Sequence, residues 1–302
     1  MGTRIAVEFW VVKGMDARQC GDAVMAEMRR IDAEMSPYRE DSELSLVNRE
    51  AASHPVRISP ELFNLIQRAQ RVSDLSGGAF DITFASVGYL YDYRQHAKPT
   101  DQEISQRLGK INYRLIRLDS ESSAISFAKQ GVRIDLGGIA KGYAVDNGIR
   151  ILQDCGVKSG LVTAGGDSRI LGDRHGRPWV IGIRDPRKKG SVVVALPLSN
   201  TAVSTSGDYE RFFIENGERY HHILSPATGK SAHATRSVTV LGPDATTTDA
   251  LSTTVFVLGP ERGIRLIDSL AGIDAVVIDA RGKMHYSSGL MPPASRRGKP
   301  DG

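Results

Sequence analysis

Ile5, Val7, Phe9 and Val11 alternate with Arg4, Ala6, Glu8 and Trp10, the period of two that sends successive side chains to opposite faces of a strand. From Asp16 to Met35 the period changes to three and four. That predicts a helix with Cys20, Val24, Met28 and Ile31 on its apolar stripe. A polar loop, Ser36-Pro37-Tyr38-Arg39-Glu40-Asp41, follows. Ser59-Pro60-Glu61 combines a capping hydroxyl, a proline at the first helical position and an acid in the first turn. The helix it starts runs through Leu62, Ile66, Ala69 and Val72 and stops at Gly77-Gly78.

The middle of the chain is rich in strands, predicted at residues 113–118, 124–127 and 132–135. A helix over about 139–154 is closed by Gly156. Further strands are expected at 161–163, 179–183, 191–196 and 201–204. Residues 211–214 and 218–224 flank Asn216-Gly217, a hairpin signal because both turn positions need positive φ. A strand at 237–241, a helix at 246–258 ended by Gly259-Pro260, and a strand at 276–279 complete the pattern. Helices and strands mix without a regular βαβ rhythm, so the fold class expected is α+β with substantial antiparallel sheet. Residues 1–290 read as one domain and 291–302 as a disordered tail.

Composition changes this picture little. The chain has 302 residues, 40% hydrophobic and 25% charged, the make-up of a globular protein. Its formal charge is +4, part of it in Arg296-Arg297-Gly298-Lys299-Pro300. No long basic stripe interleaved with aromatics exists, so nucleic acid is not expected as a partner. There is no run of about 18 apolar residues, so no membrane span is expected. Cys20 and Cys155 are read as two structural thiols rather than a disulfide or redox pair.

Three segments carry candidate chemistry. Val132-Arg133-Ile134-Asp135-Leu136-Gly137-Gly138-Ile139-Ala140-Lys141-Gly142-Tyr143 runs from strand through glycines into a helix start, a place where backbone can approach phosphate. It matches neither the P-loop nor the dinucleotide fingerprint, and a plain tight turn is the alternative. Thr248-Asp249-Ala250-Leu251-Ser252-Thr253 places Asp249, Ser252 and Thr253 on adjoining parts of one helix face. One carboxylate with hydroxyls is a hard oxygen set suited to Mg²⁺ and poor for zinc. The alternative is an acid complementing the helix dipole. Tyr220-His221-His222-Ile223 falls on the second hairpin strand, where alternation sends the two histidines to opposite faces.

These segments, in this order, resemble the ApbE-type FAD:protein FMN transferases over nearly the whole chain. The resemblance is carried by Met1-Gly2-Thr3, Ser36-Pro37-Tyr38-Arg39 with Asp41-Ser42-Glu43-Leu44-Ser45, Gly78-Ala79-Phe80-Asp81 and the Asp135–Ala144 stretch. It continues through Gly165-Gly166-Asp167, Ser204-Thr205-Ser206-Gly207-Asp208-Tyr209-Glu210-Arg211, His221-His222-Ile223-Leu224-Ser225-Pro226-Ala227-Thr228-Gly229, and Asp244-Ala245 through Thr253. The resemblance implies a two-lobed, T-fold-like α+β structure that binds FAD extended, with Mg²⁺ at the diphosphate. Contacts to FAD would fall to Met1, Tyr38, Ala79, Phe80, Asp81, Gly137, Tyr143 and Ile223, and Lys141 either neutralises phosphate or is structural. The metal ligands implied are the Ala140 carbonyl, Asp249 and Thr253, with Ser252 close by. The reaction implied is transfer of FMN from FAD to a threonine or serine of an acceptor flavoprotein with an FMN-binding domain, such as an electron-transport or reductase subunit, releasing AMP. An acceptor hydroxyl is a weak nucleophile, and His222 rather than His221 is expected to serve as its base.

Asp167 stands where the family more often has asparagine, and Ser225 where aspartate is usual before the proline. The resemblance implies residence on the periplasmic side of a bacterial inner membrane. No export signal or lipidation cysteine precedes the first motif, which makes the cytoplasm the alternative. Two other functions fit the same residues: a Mg²⁺-dependent FAD pyrophosphatase with water as acceptor, and a flavin-binding protein without turnover.

Overall fold

The computed structural model describes residues 2–11, 13–188 and 190–291. The expected flavin contact of Met1 and the expected tail from residue 292 onward lie outside the described residues. The chain opens with strand β1 (Ile5–Phe9) and helix α1 (Ala17–Met35), whose first turn is capped by the Asp16 carboxylate accepting from Gln19 N. Helices α2 (Glu43–Glu50) and α3 (Pro60–Leu75) enclose the short strand β2 (Val56–Arg57). As expected, Ser59 Oγ caps α3 at Leu62 N, and Gly77 and Gly78 take φ of 61° and 84° beyond its end. Next come α4 (Ala85–Gly88), α5 (Asp101–Leu108), β3 (Ile116–Asp119) and β4 (Ala124–Phe127).

The expected strand at 132–135 has no ladder. Asn48 takes the place of a neighbouring strand: its Oδ1 accepts from Ile134 N at 2.7 Å, and its Nδ2 donates to Ile134 O at 2.9 Å. The chain therefore runs extended into α6 (Ala140–Asp154) without joining a sheet. Strands β5 (Gly160–Ala164), β6 (Asp167–Leu171), β7 (Trp179–Arg184), β8 (Val192–Leu198) and β9 (Ala202–Gly207) follow. The hairpin of β10 (Phe212–Glu215) and β11 (Glu218–His221) turns at Asn216 and Gly217 with φ of 51° and 79°. Its second strand stops at His221, so His222 and Ile223 lie beyond it rather than on it. The chain ends with β12 (Thr235–Gly242), α7 (Ala245–Leu258), α8 (Pro260–Asp268), β13 (Asp274–Asp279) and β14 (Met284–Tyr286). Gly259-Pro260 ends α7 as expected and also begins α8, with proline at its first turn.

Seven strands form one antiparallel sheet in the order β1-β5-β6-β9-β12-β13-β14, and β2-β4-β3 form a second. The apolar interior divides in two. One core gathers Val24 and Met28 of α1, Leu62 and Ile66 of α3, Ile125 of β4 and Val145 of α6. The other gathers Val238 of β12, Leu251 and Phe256 of α7, Ile267 of α8 and Val277 of β13. The fold is thus α+β with antiparallel sheet, as expected.

The reading of the cysteines is corrected. Cys20 of α1 and Cys155 at the end of α6 form a disulfide, with Cα atoms 6.3 Å apart. Each lies on the face its helix turns toward the other, a proximity that a separation of 135 residues hides from the sequence.

Candidate active site

The starts of α6 and α7 cross so closely that a Cβ on Gly142 would sit 2.0 Å from the Ala245 carbonyl oxygen. Only glycine allows that approach. Asp146, one turn along α6, secures the crossing. Its carboxylate accepts from Ala245 N at 2.8 Å, Thr246 N at 2.9 Å and Thr246 Oγ1 at 2.6 Å, which satisfies free donors at the start of α7. Asp244 caps the same helix at Thr247 N and is paired with Arg68.

The crossing brings Lys141 against Asp249. The ammonium donates to Asp249 Oδ1 and Oδ2 at 3.0 and 3.1 Å and to Asp167 Oδ2 at 2.7 Å, while Gly142 N donates to Asp249 Oδ2 at 3.0 Å. Both carboxylates are 2% exposed. Burial, then the neighbouring Asp167 charge, raises the proton affinity of Asp249 above the ordinary carboxylate range, while Lys141 and Gly142 N oppose that rise. Two buried carboxylates thus share one ammonium.

Hydroxyls line one side of this cluster. Ser206 Oγ on β9 lies 2.8 Å from Ser252 Oγ and 3.3 Å from Thr253 Oγ1. Ser252 Oγ also donates to Asp249 O at 2.9 Å. Ser204 pairs across the sheet with Asp167 and lies 2.8 Å from Thr248 Oγ1. Thr253 Oγ1 and the Phe80 ring both face Gly138, where an added Cβ would meet them at 3.3 and 3.2 Å. The expected Asp249, Ser252, Thr253, Lys141 and Phe80 therefore meet at the glycine turn before α6, with Ala140 at its first helical position.

Other expected residues are placed differently. His221 is buried and structural: its Nε2 lies 2.9 Å from Ala232 O, its Nδ1 accepts from Ile223 N at 3.3 Å, and burial pushes it down to about 4. His222 Nδ1 is buried without a hydrogen-bond partner among the described residues. Burial, then the charge of Arg211, pushes this imidazole down to about 3, so it is neutral near pH 7. The Asp81 carboxylate is committed inside the fold, accepting from Thr83 N, Thr83 Oγ1 and Tyr113 N. Ile223 packs in the second core. Gly137 N donates to Asp135 Oδ1 at 2.6 Å. The Tyr143 hydroxyl donates to Glu61 at 2.6 Å, beside the Arg30–Glu61 pair. Ala79 follows the glycine stop of α3, and its N donates to Ser76 O at 3.4 Å.

Tyr38 is 81% exposed, with Asp135 and Arg211 among the charges that act on its hydroxyl. Asp135 and Arg211 have no role assigned from sequence, although each stands in a quoted motif. Arg211 acts on both Tyr38 and His222 and so links them electrostatically.

This geometry coincides with a wider similarity. The model of the ApbE family matches residues 1–277. The chain is 32% identical to the FAD:protein FMN transferase of Treponema pallidum, over 89% of this chain and 80% of that protein. It is 33% identical to the one from Haemophilus influenzae, over 82% and 75%. The ApbE protein of Thermotoga maritima superposes with a TM-score of 0.87 at 35% identity, covering 95% and 94% of the two chains. The flavin transferase ApbE of Vibrio cholerae does so with 0.86 at 30% identity, again covering 95% and 94%. Fold and site together define an enzyme of the flavin-transferase class. The chain belongs to the ApbE family.

Proposed function

We propose that the protein transfers FMN from FAD to a threonine or serine hydroxyl of an acceptor flavoprotein and releases AMP. The observation that carries this reading is the buried Lys141–Asp167–Asp249 cluster, walled by Ser206, Ser252 and Thr253, at the glycine turn before α6. The names of the relatives support it.

The residues fit a magnesium ion. No group of three or more His, Cys, Asp or Glu side chains among the described residues could hold a metal, so a resident cation would lean on hydroxyl, carbonyl and phosphate oxygens. The cluster supplies oxygens of that kind. Asp249, Thr253 and the Ala140 carbonyl, with Ser252 close by, would hold the ion. When bound, it offsets charge on the diphosphate and aligns the displacement.

In the reaction, the acceptor oxygen bonds to the FMN phosphorus as the bond to the bridging oxygen breaks, and AMP leaves with that oxygen. The hydroxyl proton passes to His222 Nδ1, which is neutral and holds no other partner among the described residues. Entry of an anionic diphosphate raises the proton affinity of that imidazole toward its ordinary range. Lys141 orients Asp249 and offsets charge on the phosphoryl oxygens.

The disulfide between Cys20 and Cys155 supports action in an oxidising compartment, on the outer side of a bacterial inner membrane. No helix among the described residues is long and apolar enough to cross a membrane.

The reading is tested by incubating the protein with FAD and Mg²⁺, with and without an FMN-domain acceptor, while AMP, free FMN and protein-bound flavin are followed. Slow loss of FAD alone and fast loss with acceptor, one AMP per flavin attached, is the expected result. Rapid release of free FMN with no flavinylated acceptor would make the protein a pyrophosphatase. FAD bound but never consumed would make it a carrier.

A further inference from the structure

A cavity of about 160 Å³ lies beside His221, lined by Arg187, Asp208, Arg219, His233, Thr235 and Arg236. None of its residues belongs to the Lys141–Asp249 cluster. Arg187 holds Asp208 with two parallel bonds, Nη1 to Oδ1 at 2.8 Å and Nη2 to Oδ2 at 2.6 Å. Arg219 stacks on the Phe212 ring at 3.8 Å, donates to the Asp208 carbonyl at 3.4 Å, and keeps its Nε 3.9 Å from the Asp208 carboxylate. Arg236 has no acidic partner among the described residues. The exposed His233 and Glu218 face each other at 3.5 Å. One buried carboxylate, already gripped by Arg187, therefore faces three guanidiniums.

Two further observations point the same way. Burial, together with the neighbouring charges of Arg187 and Arg236, lowers Arg219 below its usual range against the pull of Asp208. Thr235 Oγ1 is buried with no hydrogen-bond partner among the described residues. A buried hydroxyl without a partner is costly, and positive charge so crowded calls for an anion.

We propose that this cavity binds a small oxyanion, one phosphate or carboxylate group in size, held by Arg219 and Arg236 with the Thr235 hydroxyl. The guanidinium fork matches paired oxygens, and Asp208 keeps Arg187 fixed as the wall behind them.

The test is binding of orthophosphate, and separately of acetate, to the full chain by titration calorimetry and thermal midpoint, each without FAD and with FAD saturating. At least one anion should bind and raise the midpoint. Arg219→Gln and Arg236→Gln should each weaken that binding by roughly tenfold or more, as loss of a charged hydrogen bond does. Thr235→Val, nearly the same shape, should weaken it by about three- to tenfold and keep both the fold and FAD binding. Preference for phosphate identifies a phosphoryl ligand, and preference for acetate a carboxylate one. The proposal is overturned if neither anion binds, if FAD abolishes the binding, or if folded Thr235→Val binds as the wild type does.

Discussion

Lys141 Nζ lies 2.7 Å from Asp167 Oδ2, closer than its 3.0 Å approach to Asp249 Oδ1. One ammonium is thus shared between Asp167 of β6 and both carboxylate oxygens of Asp249 of α7. Asp249→Ala should reduce FMN transfer by roughly two or more orders of magnitude, on the scale of losing a key electrostatic group. FAD binding should survive better than turnover. Initial rates across a Mg²⁺ series, beside equilibrium FAD binding, check both; near-normal transfer at limiting Mg²⁺ would remove Asp249 from metal binding.

Asp167→Asn keeps a hydrogen-bond acceptor for Lys141 and deletes one buried charge. Transfer at saturating Mg²⁺ should stay within about tenfold of wild type, while the Mg²⁺ concentration for half-maximal rate should rise. An unchanged Mg²⁺ requirement would show that Asp167 does not contribute to the field felt by the cation.

His222→Ala should slow transfer by about 10²–10⁴-fold with FAD affinity little changed, the share expected of a general base. His221→Ala should act on stability instead, since that ring bridges Ala232 O and Ile223 N inside the fold. Rates and melting curves of the two variants separate the roles; interchanged phenotypes would reverse them.

The buried His221 also sets a pH dependence. Its affinity for a proton is lower in the folded state, about 4 against 6.5, so the unfolded chain binds the proton more readily. The stability it supports is complete above about pH 6.5 and is lost as pH falls toward 4. Denaturation midpoints of His221→Gln should fall less steeply across that window than those of the wild type. Parallel curves would assign the acid sensitivity to other groups.

Reduction of the Cys20–Cys155 bond frees a long loop in the unfolded chain. Cys20→Ser with Cys155→Ser should cost about 2–4 kcal/mol of stability in oxidising buffer, and dithiothreitol should bring the wild type to the same level. A wild-type melting curve unmoved by dithiothreitol would argue against a stabilising bond.

Much of the fold was legible where local chemistry is strong. The cap and proline of α3, the Asn216-Gly217 turn, the long apolar period of α1 and the Gly259-Pro260 stop of α7 all form as their residues dictate. The short helices α2 and α5 were missed, because eight residues give too little periodicity to stand out. The strand at 132–135 was misread because a side-chain amide, Asn48, can satisfy an extended backbone as well as a neighbouring strand does. At the site, motif spacing marked Asp249 and Lys141 but not their contact, which depends on a crossing that only Gly142 permits. The pairing of Asp146 with Ala245 and Thr246 spans about a hundred residues and leaves no local trace.

That crossing has a consequence for the newborn chain. Lys141, Asp167 and Asp249 sit on three elements, and Lys141 and Asp249 are 108 residues apart, so the cluster exists only after α7 has settled on α6. Until the two helices cross, Lys141 stands without Asp249 beside it. A fragment that ends before α7 therefore keeps Lys141 and Asp167 but cannot assemble the cluster at all.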